Sequence, residues 1–368
     1  MKPLEGLKVV EMARILAGPW IGQALADLGA EVIKLESPEG DDTRRWGPPF
    51  VERDGDVSAA YFYSANRGKV SEVVDFRTPE GQARVRELVA GADILIENFK
   101  VGGLAKYGLD YASLAEVNPA LIYCSVTGFG QDGPYAKRAG YDYLLQGMSG
   151  LMDITGDPDG EPTRFGVAVT DIVTGLYSTI GILAAVEQRH RTGRGQHIDM
   201  SLLDCAVAML ANQGMNYLAT GVPPQRTGSW HRNLGPYQVV PVKDGHIIIA
   251  VGNDGQFRRF CDVLGLEGLA DDARFATNPG RVTNREALTP LIEAVTAGWE
   301  KADLLAAFEA ATVPAGPIND VGEALADPQV VARGMQIDPE GVPGLRGPWK
   351  FSDAELALER TAPVLPKG

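Results

Sequence analysis

The fold of this chain is decided by residues 6–36, which read GLKVVEMARILAGPWIGQALADLGAEVIKLE. Residues 6–12 form a short apolar run that begins at a glycine, which predicts a buried strand. Residues 18–28 have helical spacing, with Pro19 in the first turn and Gly29 at the C-terminal cap position. The last six residues predict a second strand. This order predicts two parallel strands joined by a right-handed crossover.

The same alternation continues to residue 212. Further apolar runs predict strands of the same parallel sheet at residues 92–97, 121–126 and 196–200. The spacing of apolar residues predicts helices at residues 78–90, 172–191 and 201–212. Glycine-rich loops follow two of the strands, at residues 102–103 and 128–133. Ligands of open α/β sheets bind at the carboxyl ends of the strands, so these loops are candidate walls of a binding crevice.

The pattern changes after residue 212. Residues 213–236 are irregular and fit a linker or a site loop. A β-hairpin at residues 237–251 and helical segments at residues 258–266, 284–297 and 301–311 come next. These elements predict a second, smaller domain, after which a tail rich in Gly and Pro ends the chain.

The composition excludes several classes of protein. The 368 residues include 34 Lys and Arg against 48 Asp and Glu, a formal net charge of −14. This excess argues against nucleic-acid and membrane-surface partners, whereas a small anionic ligand needs only local positive charge. No apolar stretch reaches the roughly 18 uninterrupted residues of a membrane span, so none is expected. Three widely spaced cysteines indicate a reducing, cytoplasmic setting.

The familiar catalytic motifs are absent from the sequence. The four histidines show no i,i+4 pairing and the cysteines form no CxxC, so no metal site is predicted. The chain also has no GxSxG elbow and no GxxxxGK[ST] loop. A complete GxGxxG after a strand is missing, which weakens a dinucleotide interpretation.

Asp171 stands out because it directly precedes the helix predicted at residues 172–191. The commoner role for an aspartate there is an N-cap, which accepts hydrogen bonds from free backbone N–H groups. The alternative is a carboxylate nucleophile. The partial positive charge of the helix N-terminus would keep it ionised and could stabilise a developing oxyanion.

Basic residues collect in the loops after the predicted strands, at Arg14, Arg44, Arg45, Arg67, Lys69, Lys100, Lys106, Lys137 and Arg138. Each alone fits a solvated surface cation. Together, along one edge of the sheet, they would attract a ligand that carries phosphate. The segment Gly252–Gln256 fits either a simple turn between hairpin and helix or a mobile lid.

Taken in order, the motifs of this chain resemble the family III CoA-transferases. The resemblance runs collinearly from about residue 5 to residue 360. It is carried by residues 6–11, 17–19, 27–36, 40–44, 46–49, 66–69, 96–99, 128–130, 133–135, 138–142, 192–196 and 313–317. It implies a ring-shaped subunit with a Rossmann-like large domain, formed by residues 1–212 and 326–368. Residues 213–325 then supply a linker and a small α+β domain, and two rings interlock into a homodimer.

The resemblance also implies a reaction. It identifies Asp171 as the catalytic aspartate, which forms a mixed anhydride with the acyl donor and then an aspartyl-CoA thioester. The substrates are an acyl-CoA, with succinyl-CoA as the expected donor, and a small carboxylic acid. No metal or redox cofactor takes part. Since the carboxylate must be ionised to attack, activity should fall at acidic pH.

Further site residues carry over from the resemblance. It places contacts with coenzyme A at Ile15, Leu16, Arg67, Lys69, Asn98, Phe99, Lys106 and Arg138, and it puts Tyr141 and Asp142 beside the catalytic aspartate. The mobile glycine loop of formyl-CoA transferase corresponds to Gly252, Asn253, Asp254, Gly255 and Gln256. Here that loop is not a run of glycines, which weakens formate and oxalate as substrates.

Two subfamilies compete. The alpha-methylacyl-CoA racemases pair a histidine with the aspartate. Tyr141 stands at that place in this chain, and a phenol that titrates near pH 10 is a poor base near pH 7. Transfer is therefore preferred and racemisation is the alternative. Residues 226–231, 236–238 and 252–257 resemble succinyl-CoA:glutarate-type enzymes. In this chain Arg226 or His231 would bind the distal carboxylate of the acceptor acid. The alternative role for both residues is to anchor the loop.

Overall fold

The computed structural model of this protein describes residues 1–366 and contains two compact units. The large unit consists of Met1–Met152, Arg164–Val222 and the chain from Pro328 onward, and the small unit of Asp153–Thr163 and Pro223–Asp327. These boundaries differ from the predicted ones at residues 212 and 325. The small unit takes an additional segment from the first half of the chain, and the large unit extends to Val222.

The strands and helices have the following bounds. The strands are β1 (Lys8–Glu11), β2 (Glu31–Glu36), β3 (Phe50–Arg53), β4 (Asp56–Ala59), β5 (Val70–Val73), β6 (Ile94–Glu97), β7 (Ile122–Thr127), β8 (His197–Ser201), β9 (Tyr237–Val242), β10 (Gly245–Ala250), β11 (Ala315–Pro317), β12 (Gln336–Ile337) and β13 (Gly344–Leu345). The helices are α1 (Ala17–Asp27), α2 (Ala60–Ala65), α3 (Pro79–Ala90), α4 (Tyr111–Val117), α5 (Asp142–Met148), α6 (Val169–Thr192), α7 (Leu202–Ala208), α8 (Ala211–Thr220), α9 (Asp254–Leu264), α10 (Glu267–Asp271), α11 (Asn278–Thr283), α12 (Arg285–Thr296), α13 (Lys301–Ala310), α14 (Val321–Ala326) and α15 (Pro328–Ala332). Short 3-10 helices lie at Asp42–Arg45, Ala105–Tyr107 and Pro339–Gly341.

The large unit is built on a six-stranded sheet with the order β5-β2-β1-β6-β7-β8. All neighbouring strands in it are parallel. In chain order these strands run 3-2-1-4-5-6, which is the arrangement of dinucleotide-binding folds. The prediction of a Rossmann-like α/β domain is therefore confirmed. The direction of the connections reverses between β1 and β6, so a crevice opens at the carboxyl ends of these two strands.

Helices cover both faces of this sheet. Val9 of β1 belongs to a buried cluster with Leu25 of α1 and Ile182 of α6. The next residue, Val10, belongs to a separate cluster with Val89 of α3. Successive residues of a strand point to opposite faces, so the unit has a helix layer on each side of the sheet. Both layers hold the strands in place and leave their carboxyl ends open.

Helix α6 has the length and the mean hydropathy, 1.6 over its most apolar window, of a membrane span. In the large unit it contacts α1, where a Cβ atom on Gly175 would lie 2.9 Å from Cδ1 of Trp20. Ile182 on the same helix is fully buried. These contacts are typical of a helix in the core of a domain.

Several predicted elements need correction. Helix α6 begins at Val169 with Ala168 at the N-cap, so Asp171 is the third helical residue and not the cap. The helix predicted at residues 201–212 is two helices, α7 and α8, and the second reaches Thr220 within a segment predicted to be irregular. The strand β5 has only four residues and was not predicted from the sequence.

The small unit combines a three-stranded antiparallel sheet, β11-β10-β9, with helices α9 to α13. Ile247 and Ile249 of β10 are buried with Phe257 and Phe260 of α9. The predicted hairpin and α+β class are thus present in this unit. The sequence did not predict β11, because its three residues show no alternation of polar and apolar side chains.

The close approach of α1 to the sheet generates a prediction for Gly22. A Cβ atom there would overlap the Glu11 carboxylate and would lie 3.1 Å from Cε of Lys69. Gly22→Ala should therefore lower the free energy of unfolding by about 1–3 kcal/mol, although alanine is the better helix former by about 1 kcal/mol. Urea unfolding measures this change.

Gly181→Ala in α6 is the matched control for this substitution. Its added Cβ would lie 3.7 Å from Cγ2 of Ile198, an ordinary contact. This variant should be as stable as the wild type or more stable. Equal stability of both variants would contradict the proposed close approach.

Candidate active site

The loops that follow β1 and β6 meet at the point where the strand order reverses. The Asn98 side chain holds them together: its Oδ1 accepts the backbone N–H of Arg14 at 2.9 Å, and its Nδ2 donates to the Arg14 carbonyl at 2.7 Å. Ile15 and Leu16 directly follow Arg14, and Phe99 directly follows Asn98. The fold therefore brings together these four predicted contact residues, which come from two distant parts of the sequence.

A cavity of about 270 Å³ opens beside this junction. Its walls come from the carboxyl ends of β1, β2 and β5 and from the loops after β1, β2, β5 and β6: Met12, Arg14, Lys34, Leu35, Glu36, Ser37, Glu39, Gly40, Asp41, Val74, Asp75, Phe76, Arg77 and Phe99. The rings of Phe76 and Phe99 pack edge to face, with centroids 5.3 Å apart. Arg14 and Arg77 are the exposed cations of this cavity. Each is paired with a nearby carboxylate at the surface: Arg14 lies 3.0 Å from Asp42, and Arg77 donates two hydrogen bonds to Asp75 at 2.7 and 2.9 Å.

The sequence analysis did not single out Phe76 or Arg77 of this cavity. Both lie between β5 and α3. The available signal was their position: a loop after a strand, immediately before the helix start at Thr78 and Pro79. Because β5 was not recognised as a strand, its carboxyl end was not recognised either.

Arg67 and Lys69 need correction as predicted contacts of CoA. Both are buried within the large unit. The Arg67 guanidinium forms two hydrogen bonds to the Asp27 carboxylate, at 2.6 and 3.0 Å, and a third to the Leu345 carbonyl. Lys69 Nζ lies 2.8 Å from the Glu11 carboxylate and is fully enclosed. Their charges are thus neutralised inside the protein, so these cations are structural and are not available to a phosphate.

Lys106 and Arg138 remain accessible. Lys106 lies in the Ala105–Tyr107 turn, with its Nζ 4.7 Å from the centre of the Tyr107 ring. That ring packs against Phe76, so Lys106 lies near the aromatic side of the cavity. The Arg138 guanidinium stacks on Tyr135, 3.9 Å from the ring centre, in the loop after β7.

Asp171 lies in the first turn of α6, and the neighbouring Asp142 caps that turn. One Asp142 oxygen accepts the backbone N–H of Thr170 at 2.8 Å, and the other accepts the Gln146 amide at 2.7 Å. Gln146 in turn accepts the N–H of Phe165 at 2.9 Å. The capping role considered for Asp171 therefore belongs to Asp142, and the Asp171 carboxylate is left for another role.

Burial governs the protonation of Asp171. It raises the pKa of this carboxyl from its ordinary value to about 7, and the negative charge of Asp142 adds to the increase. The sequence argument expected the helix N-terminus to keep the carboxylate ionised. This expectation is wrong in magnitude, because the loss of hydration and the adjacent anion outweigh the partial charge of the helix.

Tyr61 of α2 lies close enough to the same carboxylates for their charges to affect its phenol. Burial raises the pKa of its phenol to about 12, and the charges of Asp171, Asp142 and Asp41 act in the same direction. The ring contacts Trp46 edge to face, at 5.3 Å between centroids. Sequence analysis missed Tyr61, whose segment carries no catalytic motif. Tyr141, predicted beside Asp171, is 68% exposed at the N-cap of α5.

In the small unit, Arg226 and His231 are occupied by backbone groups. The Arg226 guanidinium donates to the carbonyls of Asp153, Asp157 and Gly160 at 3.0–3.2 Å. Nδ1 of His231 accepts the N–H groups of Asn233 and Leu234, both at 3.1 Å. Of the two roles considered for them, these contacts fit the anchoring of loops.

The segment Gly252–Gln256 forms a closed turn. Asn253 is the N-cap of α9 and accepts the Gln256 N–H at 2.9 Å, while the Gln256 side chain accepts the Gly252 N–H at 2.8 Å. Asp254 accepts a hydrogen bond from the fully buried Arg281 at 2.6 Å. Asp254, Gly255 and Gln256 are thus helical. Of the two predicted alternatives, a turn between hairpin and helix or a mobile lid, the structure shows the turn.

Comparisons with known proteins agree with this geometry. The sequence pattern of CoA-transferase family III matches residues 4–367. The chain is 59% identical to the succinate–glutarate CoA-transferase of Agrobacterium fabrum, over 99% of this chain and 93% of that protein. It is 44% identical to the mouse succinyl-CoA:glutarate CoA-transferase, over 92% and 77% of the two chains. A CaiB/BaiF family protein from Brucella suis superposes with a TM-score of 0.90 at 62% identity, covering 99% of this chain and 96% of that one.

The raised pKa of Asp171 predicts a stabilising substitution. The folded protein holds the proton of Asp171 up to about pH 7, whereas an unfolded aspartate releases it near its model value of 3.8. The ionised carboxylate therefore opposes folding, partially between those values and fully above pH 7. Asp171→Asn cannot ionise, so its melting temperature should exceed that of the wild type at pH 8, and the difference should vanish near pH 4.

Asp303→Asn is the matched control for this measurement. Asp303 is also the third residue of a helix, α13, but it is exposed. This variant should bring no stabilisation at pH 8. If both variants behave alike, burial of Asp171 is not the cause.

Proposed function

This chain belongs to CoA-transferase family III, and we propose that it transfers CoA from succinyl-CoA to a dicarboxylic acid. The identity of 59% over nearly the whole chain to a succinate–glutarate CoA-transferase supports this choice of substrates. The proposal is carried by one structural observation, the half-buried carboxylate of Asp171 in the first turn of α6, whose loss of hydration raises its pKa to about 7. A weakly hydrated carboxylate is suited to attack a thioester.

The first half of the proposed reaction removes CoA from the donor. A carboxylate oxygen of Asp171 attacks the thioester carbonyl of succinyl-CoA. The carbon–sulfur bond breaks, CoA leaves as a thiolate, and a mixed anhydride remains on Asp171. The thiolate then attacks the aspartyl carbonyl carbon and the anhydride C–O bond breaks. Succinate leaves, and an aspartyl-CoA thioester remains.

The second half runs the same steps with the acceptor. A carboxylate of the acceptor attacks the aspartyl thioester, which releases the thiolate and forms a second anhydride. The thiolate attacks the acyl carbonyl of the acceptor, and the Asp171 carboxylate is restored. The Tyr61 phenol, which stays protonated because its pKa is about 12, can donate a hydrogen bond to the oxyanion of each addition.

The cavity at the end of the sheet fits the nucleotide end of CoA. The Phe76 and Phe99 rings offer an apolar surface for a base, and Arg14 and Arg77 offer guanidinium groups for phosphates. The phenol of Tyr61 lies within electrostatic range of both Asp41, which lines this cavity, and Asp171. We place the reaction in the cytoplasm, where the three cysteines, all buried and unpaired, remain reduced.

We further propose that the protein is a homodimer. Within the described chain no residue of α8 is buried, and Leu218 on it is 75% exposed. Ile180 of the adjacent helix layer is 62% exposed. An exposed apolar surface of this kind is unusual for a monomer and fits contact with a second copy of the chain.

Chemical trapping of the acyl enzyme tests the proposed function. Incubation with succinyl-CoA followed by hydroxylamine should convert Asp171 to a hydroxamate, detected by peptide mass spectrometry. The yield should fall as the pH drops below about 7, because the protonated carboxyl does not attack. Asp171→Asn should give no product. Absence of any adduct in the wild type would refute the transfer mechanism.

The acceptor is tested in the same preparation. Glutarate should accept CoA, whereas pentanoate, which has the same carbon chain and one carboxylate, should accept it poorly. Equal rates with both acids would contradict the proposed preference for a dicarboxylic acceptor. Exchange of the α-hydrogen of a 2-methylacyl-CoA with deuterated water, without any acceptor, would instead favour the racemase alternative.

Light scattering tests the homodimer. The native protein should have twice the subunit mass of 39.3 kDa. Leu218→Asp, which places a charge on the exposed face of α8, should shift the protein toward the monomer. Val117→Asp, on α4 at the opposite face of the sheet, is the control and should leave the mass unchanged. A native mass of one subunit would contradict the proposal.

A further inference from the structure

Four charged side chains are enclosed together beneath the loop that follows β1. Glu11, Lys34, Asp41 and Lys69 have no exposed side-chain surface. Lys34 Nζ lies 3.0 Å from the Glu11 carboxylate and 3.0 Å from the Asp41 carboxylate, and Lys69 lies 2.8 Å from Glu11. Two cations and two anions thus neutralise one another in a buried cluster, named here the Lys34 cluster.

The Lys34 cluster binds the backbone of the β1–α1 loop on both sides of Arg14. Lys34 Nζ donates to the Ala13 carbonyl at 2.9 Å. The Asp41 carboxylate accepts the Ile15 N–H, at 3.3 and 3.4 Å from its two oxygens. The Asp41 carboxylate also accepts hydrogen bonds from the N–H and the hydroxyl of Thr43, at 3.0 and 2.8 Å.

The β1–α1 loop has a strained backbone at Ile15. Ile15 has a φ of 74°, in the left-handed region that β-branched residues rarely adopt. Such a conformation persists only where the surroundings enforce it, and it is concentrated at functional sites. The contacts that enforce it here are those of Lys34 and Asp41, together with the Asn98 amide on the adjacent Arg14.

We propose that Lys34 and Asp41 are positioning residues for CoA: they hold the Ile15 turn in its strained conformation and thereby keep Arg14 in the wall of the cavity. This inference rests on the proposed function, which puts the nucleotide end of CoA in that cavity. Although both residues lie at the wall of the cavity, their side chains have no exposed surface. Both act through the backbone between Ala13 and Ile15.

The charge state of Asp41 supports this role. Burial acts to raise the pKa of its carboxyl, but the charge of Lys34 and the hydrogen bonds from Thr43 outweigh burial and keep the pKa below its ordinary value. Asp41 is therefore an anion at neutral pH, and its bond to the Ile15 N–H is charge-assisted.

A double-mutant cycle between Asp41 and Arg14 tests the inference, with CoA affinity measured by titration calorimetry. Asp41→Asn keeps the shape and removes the charge, and it should weaken CoA binding about tenfold, as expected for release of a strained turn. Arg14→Ala should weaken binding to a similar extent. The double variant should bind about as well as the weaker single variant, because both changes remove the same contact.

Two further variants separate positioning from general stability. Ile15→Gly adopts a positive φ without strain, so adding it to Asp41→Asn should recover most of the lost affinity. Asp27→Asn breaks a different buried ion pair of the large unit, with Arg67, and should lower the unfolding midpoint while CoA affinity stays within twofold. Recovery by the glycine is an effect that a merely structural role of Asp41 would not produce.

The outcomes are distinct. If Asp41→Asn binds CoA like the wild type, or if its effect multiplies with that of Arg14→Ala, the inference is wrong. If the wild type does not bind CoA, the proposed function fails instead. Should Asp41→Asn not fold, hydrogen exchange of the wild type decides: the Ile15 amide should be protected without ligand, and rapid exchange would overturn the inference.

Discussion

The enclosure of Lys34 between Glu11 and Asp41 is the constraint on which the carboxyl end of the sheet depends. A buried ammonium group is tolerated only beside compensating charge and hydrogen-bond acceptors. The parallel register puts Lys34 of β2 opposite Glu11 of β1, and Asp41 reaches the same nitrogen from the loop after β2. The end of β2, the start of α1 and the loop between Glu36 and Thr43 are therefore held as one body.

A second electrostatic effect acts on the two neighbouring carboxyl groups of Asp171 and Asp142. Asp171 is destabilised by lost hydration and by Asp142, so its pKa lies near 7 and its carboxylate is poorly solvated when ionised. Asp142 itself is satisfied by the Thr170 N–H and the Gln146 amide. One of the two neighbouring acids thus caps the helix start, and the proposed function assigns the nucleophile to the other.

Cations were the residues most easily misassigned from sequence. Arg67 lies near other basic residues of the strand-end loops, yet its partner Asp27 is forty positions away and neutralises it inside the fold. Arg226 was open between ligand binding and loop anchoring, and three carbonyls of a distant segment occupy its guanidinium. Arg77, which the sequence did not predict as a contact, lines the cavity and pairs at the surface with Asp75, two positions away. A basic side chain is a ligand or a structural cation according to its partner, and the partner is set by tertiary contacts.

Local periodicity and collinear motifs, which are read along the chain, were enough to predict the alternation of strands and helices, the Rossmann-like class and the family. The tertiary structure was needed to show that Asp142 caps α6, that burial raises the pKa of Asp171, that Arg281 binds Asp254 of the Gly252–Gln256 segment, and that Ile15 adopts a left-handed turn. Each of these depends on burial and on charges brought together from distant positions, and such sums over space are not encoded in the spacing of residues.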